Sequence, residues 1–278
     1  ILQARKVLKS QQPDVVLAMG GYVTGPTGIA AKSLGIPLVI HEQNAVAGMS
    51  NRWLAKFANK VLAAFPSAFD KGQAELVGNP VRQSVADVPK REVSNPINVL
   101  VVGGSLGAQV LNQTLPEAFK VMANTCDLNV WHQTGKGHLE SVQGAYKLHQ
   151  FTEQQVKVAQ FIDDMDAAYS WADIVICRAG ALTVSEIAAA GKMAVFVPFP
   201  HAVDDHQTAN AQYLVMANGA LLMPQGQFNK QSIVALLSPY LAQPKLIDEM
   251  ANNAKKQAIL DATASVAAHC EQVTNKRK

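Results

Sequence analysis

Short apolar runs rich in β-branched residues alternate along this chain with longer stretches in which apolar positions recur every three or four residues. The short runs predict strands over residues 15–19, 37–41, 60–64, 74–77, 97–102, 129–133, 156–161, 173–177, 194–198 and 220–223. Helical spacing fills most of the gaps, as at 108–123, 182–190 and 207–218. Strands that are apolar throughout and separated by helices imply a parallel sheet, because crossover helices shield both of its faces from water. The expected fold class is α/β.

Between Asn79 and Pro96 the alternation gives way to a polar stretch punctuated by Pro80, Pro89 and Pro96, which reads as an interdomain connection. At 278 residues two domains are expected, since one core rarely grows that far. The expected division is 1–88, a linker at 89–96, a domain over 97–244, and a helical segment over 245–278 that returns toward the first domain. The first part holds only four strands, short for a doubly wound half of roughly 100–150 residues. The chain also opens Ile1-Leu2-Gln3, without an initiator methionine and straight into a helical pattern. Both features lead to the expectation that one or two βα units of the N-terminal domain are absent.

Composition narrows the class further. Apolar residues make up 49% and charged residues 16%, which excludes a disordered chain. A net charge of +3 gives no ground for a nucleic-acid partner. Three scattered cysteines, Cys126, Cys177 and Cys270, cannot close a disulfide framework, and a reducing, cytoplasmic setting is expected. The histidines lack metal-ligand spacing. No run reaches the ~18 apolar residues of a membrane span, and no signal-peptide pattern is seen, so a soluble or at most surface-bound chain is expected.

Two loops carry the candidate chemistry. The strand at 97–102 runs into Gly103-Gly104-Ser105-Leu106-Gly107-Ala108 and then a helix. Glycines let backbone approach a phosphate, a helix start offers unpaired N–H groups and a positive dipole end, and Ser105 adds a hydroxyl. The plain alternative is a tight turn with glycine chosen for packing. The spacing is neither G-x-G-x-x-G nor a P-loop, and Gly135-Lys136-Gly137-His138 lacks the hydroxyl residue of G-K-[ST]. Dehydrogenase and NTPase readings weaken accordingly.

The second loop, Arg178-Ala179-Gly180-Ala181-Leu182-Thr183, follows the strand at 173–177 and opens another helix. Glu186, expected in that helix's first turn, can accept hydrogen bonds from both hydroxyls of a ribose. Dipole compensation, with Thr183 or Ser185 as cap, is the alternative. Two such turns at strand ends of one sheet favour a ligand, because open α/β sheets bind at that edge. A nucleoside diphosphate fits the pair of loops.

The order of motifs then becomes specific. Gly20-Gly21-Tyr22-Val23, His41-Glu42-Gln43-Asn44, Gly78-Asn79-Pro80-Val81-Arg82, residues 103–108, Phe161-Ile162-Asp163-Asp164-Met165, residues 178–186 and Phe196-Val197-Pro198-Phe199 together resemble the MurG family of transferases across essentially the whole chain. That family adds N-acetylglucosamine to lipid I in peptidoglycan synthesis. The resemblance implies the GT-B fold, two Rossmann-like domains with a cleft between them, here with the N-terminal domain incomplete. It implies an inverting transfer from UDP-N-acetylglucosamine to lipid I, giving lipid II, without a cofactor. It also implies a peripheral protein on the cytoplasmic face of the bacterial inner membrane.

Residue by residue, the resemblance gives Ile162 a backbone contact to uracil and Glu186 the ribose hydroxyls. Ser105 and the turn of Ala181, Leu182 and Thr183 contact the diphosphate, with Val184 and Ser185 in the same binding stretch. Gln207, with Asn44 facing it across the cleft, reads the sugar hydroxyls, and Arg82 lines the donor site. The stretch Pro200-His201-Ala202-Val203-Asp204-Asp205-His206-Gln207 differs by a residue from some relatives, which makes His206 the neighbour to be confused with Gln207. Nothing matches the family's N-terminal glycine-rich loop with its histidine, and no general base is assigned. His41 is a candidate, with a backbone-bonded structural histidine as the alternative.

Two further features have ordinary alternatives. Asp164-Met165-Asp166 is a D-x-D, the metal-holding motif of another transferase class, but capping of a helix N-terminus explains it better. Ile1, Leu2, Val7 and Leu8 with Arg5, Lys6 and Lys9, and Arg52-Trp53-Leu54-Ala55-Lys56-Phe57, form either a basic-apolar membrane-docking surface or two ordinary amphipathic helices. The other functions weighed are a UDP-N-acetylglucosamine 2-epimerase of the same fold, and a chain that binds donor without turning it over.

Overall fold

A computed structural model describes residues 1–93, 95–105, 107–200 and 205–275. The chain forms two compact units, residues 1–81 with 259–278, and residues 82–258. All ten predicted strands are present and every ladder is parallel.

The first unit runs α1 (Leu2–Gln11), β1 (Val16–Ala18), α2 (Thr24–Ser33), β2 (Leu38–Glu42), α3 (Met49–Leu54), β3 (Lys60–Ala63) and β4 (Glu75–Leu76). Its strands pair in chain order. Fully buried Leu38, Ile40 and Leu54 pack with Ala30 and Ala31 on one face of this sheet. A last helix from the far end of the chain covers Val39, Leu62 and Val77 with Val266 and Val273.

The second unit opens with α4 (Gln83–Ala86) and continues β5 (Ile97–Val102), α5 (Gln109–Met122), β6 (Leu128–Gln133), α6 (Leu139–Leu148), β7 (Val156–Ala159) and α7 (Met165–Trp171). There follow β8 (Ile174–Cys177), α8 (Ala181–Ala190), β9 (Met193–Phe196), α9 (His206–Val215), β10 (Ala220–Leu222), α10 (Lys230–Ala242) and α11 (Lys245–Lys256). The last helix, α12 (Ala262–Asn275), returns to the first unit, whereas α11 packs on α8 and β9.

The second sheet has the order β10-β9-β8-β5-β6-β7. Strands β5 and β8 are neighbours although two strands and three helices separate them in the chain. The chain therefore winds outward in both directions from β5 and β8. Loops leaving the two strands at such a switch point diverge to opposite faces and open a crevice at the carboxyl edge. The two glycine-rich loops occupy that position. Fully buried Ile97, Val99, Val101, Ile174, Ile176 and Val195 hold the strands beneath them.

Candidate functional site

The first loop leaves β5 and enters α5. Gly104 and Gly107 have φ of 83° and 77°, a region that residues with a Cβ adopt only with strain. A Cβ on Gly107 would overlap the carbonyl oxygen of Thr134, and one on Gly103 would lie 2.6 Å from the Ala108 nitrogen. The Gly107 N–H donates to Gly104 O at 3.0 Å, and Ser105 O accepts from the Lys136 N–H at 3.2 Å. Ser105 itself is exposed. Leu106 lies outside the described residues. Helix α5 begins after Ala108 without a side-chain cap, so its first N–H groups have no intrahelical acceptor.

Helix α8 begins after Gly180, also without a side-chain cap. Ala181, Leu182 and Thr183 form its first turn, and the Val184 N–H donates to Gly180 O at 2.9 Å as the first rung of the helix. The Val184 side chain is fully buried. The capping alternative fails, because the Ser185 hydroxyl donates backward to Ala181 O at 3.0 Å and no acidic residue lies in the first turn. Glu186 is therefore corrected from the first turn to the second, since the helix starts at Ala181. At that depth it is not a terminal dipole partner.

Glu186 instead belongs to a small polar cluster. Its carboxylate accepts the Tyr169 hydroxyl at 3.0 Å. Arg82 lies 3.8 Å from Asp166, and both act electrostatically on Glu186. Burial raises the Glu186 pKa and Asp166 adds to the rise, against the Tyr169 hydrogen bond and the Arg82 charge. The structure thus brings Arg82 and Glu186 together, and adds Tyr169, which no sequence motif marks. Asp164 caps α7, its carboxylate accepting the Ala167 N–H at 2.9 Å.

Over the ends of β5 and β8 lies a cleft of about 740 Å³, bordered by Gly103, Gly107, Gln109, Arg178, Gln207 and Gln225 among others. Two cavities of about 730 and 800 Å³ lie elsewhere, along Asn129–Trp131 and beside Leu8 and Cys270, away from both glycine loops. Gln207, in the first turn of α9, accepts the Phe199 N–H at 2.9 Å, and His206 is its neighbour in that turn. Of the stretch 200–207, expected to differ by a residue from some relatives, residues 201–204 lie outside the described residues. Arg178 opens the second glycine loop. It donates to Val197 O at 2.9 Å, Pro198 O at 3.2 Å and Gln225 Oε1 at 2.7 Å, bracing the loop after β9. Fully buried Asn210 braces the loop after β8 by donating to Ala179 O at 3.2 Å.

Ile162 is buried beyond the end of β7, and its N–H donates to Gln133 Oε1 at 3.3 Å. Beside it a fully buried chain of polar groups supports the first loop. His132 contacts the Tyr146 hydroxyl at 2.9 Å through Nδ1 and Asn112 Oδ1 at 3.0 Å through Nε2. Asn112 donates to Thr134 O, the atom against which Gly107 packs. Burial lowers the His132 pKa to about 3, so the ring is neutral.

In the first unit, Asn44 donates to Glu42 Oε1 through both its backbone N–H (2.9 Å) and its side-chain amide (3.3 Å). His41 is fully buried, and its Nε2 donates to Gly78 O at 2.8 Å. Burial lowers its pKa, and the contact to backbone supports the structural reading of this histidine. Of the two basic-apolar segments, Leu8 faces the core and is removed from any docking surface. Tyr22, Val23, Met49 and Trp53 are exposed at 97%, 76%, 79% and 48%. No helix among the described residues is long and apolar enough to cross a membrane.

Residues 98–266 match the glycosyltransferase family 28 C-terminal domain, and residues 1–63 match the N-terminal domain of that family. The UDP-N-acetylglucosamine--N-acetylmuramyl-(pentapeptide) pyrophosphoryl-undecaprenol N-acetylglucosamine transferase of Pseudoalteromonas translucida is 83% identical over 277 residues, covering 100% of this chain and 77% of that protein. Among solved structures, Acinetobacter baumannii MurG is similar with a TM-score of 0.87 at 41% identity, covering 98% of this chain and 77% of that one. A putative UDP-N-acetylglucosamine 2-epimerase from Listeria monocytogenes reaches a TM-score of 0.72 at 13% identity, covering 98% and 78%, which is likeness of fold alone.

Proposed function

The chain belongs to glycosyltransferase family 28 and, within it, to the MurG-type N-acetylglucosaminyltransferases, and on that premise we propose how its second unit serves the transfer of N-acetylglucosamine from UDP-N-acetylglucosamine to lipid I. The product is lipid II, for peptidoglycan synthesis. One observation carries the donor assignment. Two helices without side-chain caps, α5 and α8, begin on adjacent strands at the switch point of one sheet.

Transfer is a direct displacement that inverts the anomeric centre. The acceptor's hydroxyl oxygen bonds to the anomeric carbon as the bond from that carbon to the β-phosphate oxygen breaks, and the hydroxyl proton passes to a base. Negative charge grows on the departing UDP. The N–H groups and dipole ends of α5 and α8 stabilise that charge where they stand, without reorganising. Ser105 and residues 181–183 are assigned to the diphosphate, Glu186 to the ribose hydroxyls, the Ile162 backbone to the base and Gln207 to the sugar. Arg82 stands beside Glu186 at the donor.

We also place the protein at the cytoplasmic face of the inner membrane. Exposed Tyr22, Val23, Met49 and Trp53 supply the apolar area, with exposed Arg52 and Lys56 for anionic headgroups. The first residues of α2 lie beside α3, a Cβ on Gly25 coming within 3.5 Å of the Ser50 hydroxyl, so the two segments form one patch. Cosedimentation with anionic vesicles checks this, and Trp53→Ser with Met49→Ser should reduce it.

The transfer is tested with labelled UDP-N-acetylglucosamine and a lipid I analogue. Formation of disaccharide product supports it. UDP binding without product would leave this chain a donor-binding protein only, and sugar epimerised without acceptor would reassign it.

A further inference from the structure

We infer that the second unit carries a further anion site, for a phosphate-class oxyanion, in a basic cavity at the amino edge of its sheet. The two glycine loops lie at the opposite edge, so this site stands apart from the donor reading.

The cavity measures about 100 Å³, well under the roughly 300–1,000 Å³ of pockets for drug-sized ligands, which suits a small ion rather than a nucleotide or a sugar. Three segments of the chain build it. Ile174 of β8 pairs with Met193 of β9, so Asp173 and Lys192, one residue before each, lie side by side where the two strands begin. Lys90 and Arg91 come from the stretch that leads into β5. Asp248 and Lys255 come from α11, seven residues apart and so on one face of that helix. Four cations and two carboxylates therefore border the cavity, an excess of positive charge that a dianion balances.

Most of these groups are already engaged. Asp173 accepts the Asn98 N–H at 2.9 Å through Oδ2 and lies 3.5 Å from Arg91 Nε through Oδ1. Arg91 also donates to Trp171 O at 3.0 Å. Lys255 donates to Ala86 O at 3.1 Å and to Ala189 O. Lys192 differs. Its relative exposure is 4%, yet its ammonium donates no hydrogen bond and has no carboxylate within 4.0 Å among the described residues.

A lysine is almost never buried so deeply without a partner, because taking an ammonium out of water is costly. Burial lowers the Lys192 pKa, Asp173 works against the fall and Arg91 adds to it. An oxyanion in the cavity supplies the acceptor that the protein does not. It takes N–H groups from the Lys192 ammonium, from exposed Lys90 and from the part of the Arg91 guanidinium that Trp171 leaves free. The ion then joins residues 90 and 91 to the start of β9, and its binding stabilises the folded chain by mass action.

Thermal unfolding in rising inorganic phosphate, against chloride at matched ionic strength, tests this, with UDP held at a saturating level to occupy the glycine loops. Phosphate should raise the midpoint saturably and chloride should not. Lys192→Met keeps length and removes the charge. It should raise the phosphate required by about tenfold or more, while UDP binding by calorimetry stays within about twofold. Should Lys192→Met unfold early, Lys90→Ser serves, because an exposed residue can be changed without disturbing the core, and it too should raise the phosphate required. No response to phosphate, or an undiminished response in the variants, would overturn the inference. Loss of the response once UDP is present would overturn it as well, since the ion would then sit at the glycine loops. Should UDP itself not bind, the donor reading fails and the Lys192→Met comparison still decides this one. Glycerol 3-phosphate identifies the source: an equal response makes phosphate monoesters the ligand class, no response makes it the free ion, and both support the site.

Discussion

Replacing Glu186 by alanine is the most direct probe of the donor site. The carboxylate already accepts the Tyr169 hydroxyl at Oε2, and about three of its lone-pair positions remain for a ligand. Hydrogen bonds to a charged group contribute about 1.5–3 kcal/mol in half-buried surroundings, so Glu186→Ala should weaken UDP by roughly 10- to 150-fold. The substitution also strands the Tyr169 hydroxyl, which is almost wholly buried, at about 1–3 kcal/mol of stability. Calorimetry reports the first effect and thermal unfolding the second. Tyr169→Phe combined with Glu186→Ala should recover part of the stability and none of the affinity. Pairing the variant with 2′-deoxy-UDP isolates the ribose contact, because the missing hydroxyl should cost affinity in the protein and almost none in Glu186→Ala. If Glu186→Ala remains folded and binds UDP as before, the ribose assignment is wrong.

Affinity for UDP-N-acetylglucosamine should fall on acidification with a midpoint above 4.5, the ordinary glutamate value, because burial raises the Glu186 pKa and only the carboxylate accepts two hydroxyls. Glu186→Gln should flatten that profile. Gly107→Ala meets both a positive φ and the Thr134 carbonyl, whereas Gly104→Ala meets the positive φ with open space around it. Chemical denaturation should therefore show Gly107→Ala as the more costly, by about 1–3 kcal/mol, with UDP binding lost alongside. His132 has a folded pKa of about 3 against 6.5 unfolded, so its contribution to stability is full above pH 6.5 and is lost as pH falls toward 3. The loss approaches about 4–5 kcal/mol at the acid end, and His132→Gln should shallow the acid limb of the unfolding curve.

The ten strands and the helices around the glycine loops were legible because apolar periodicity is a local property, written within a few residues of each element. The same holds for the two loops, since glycine beside a strand end constrains the backbone wherever the chain goes next. The ordered run of motifs further identified the family. Strand order was not legible. That β5 and β8 are neighbours is decided by packing across more than 70 residues of chain, and it alone turns two separate glycine turns into one crevice. Depth along a helix escaped as well. A start at Ala181 moved Glu186 inward by a turn, where Tyr169 and Arg82 determine its surroundings. Gln133, Arg178 and Asn210 carry no motif of their own. Their roles arise from carbonyls and N–H groups supplied by distant segments, which only the folded chain brings within hydrogen-bonding distance. The sequence by itself determined which elements form and what chemistry they carry. Tertiary structure decided which of those groups meet, because pairing is a contest among distant partners that no local pattern records.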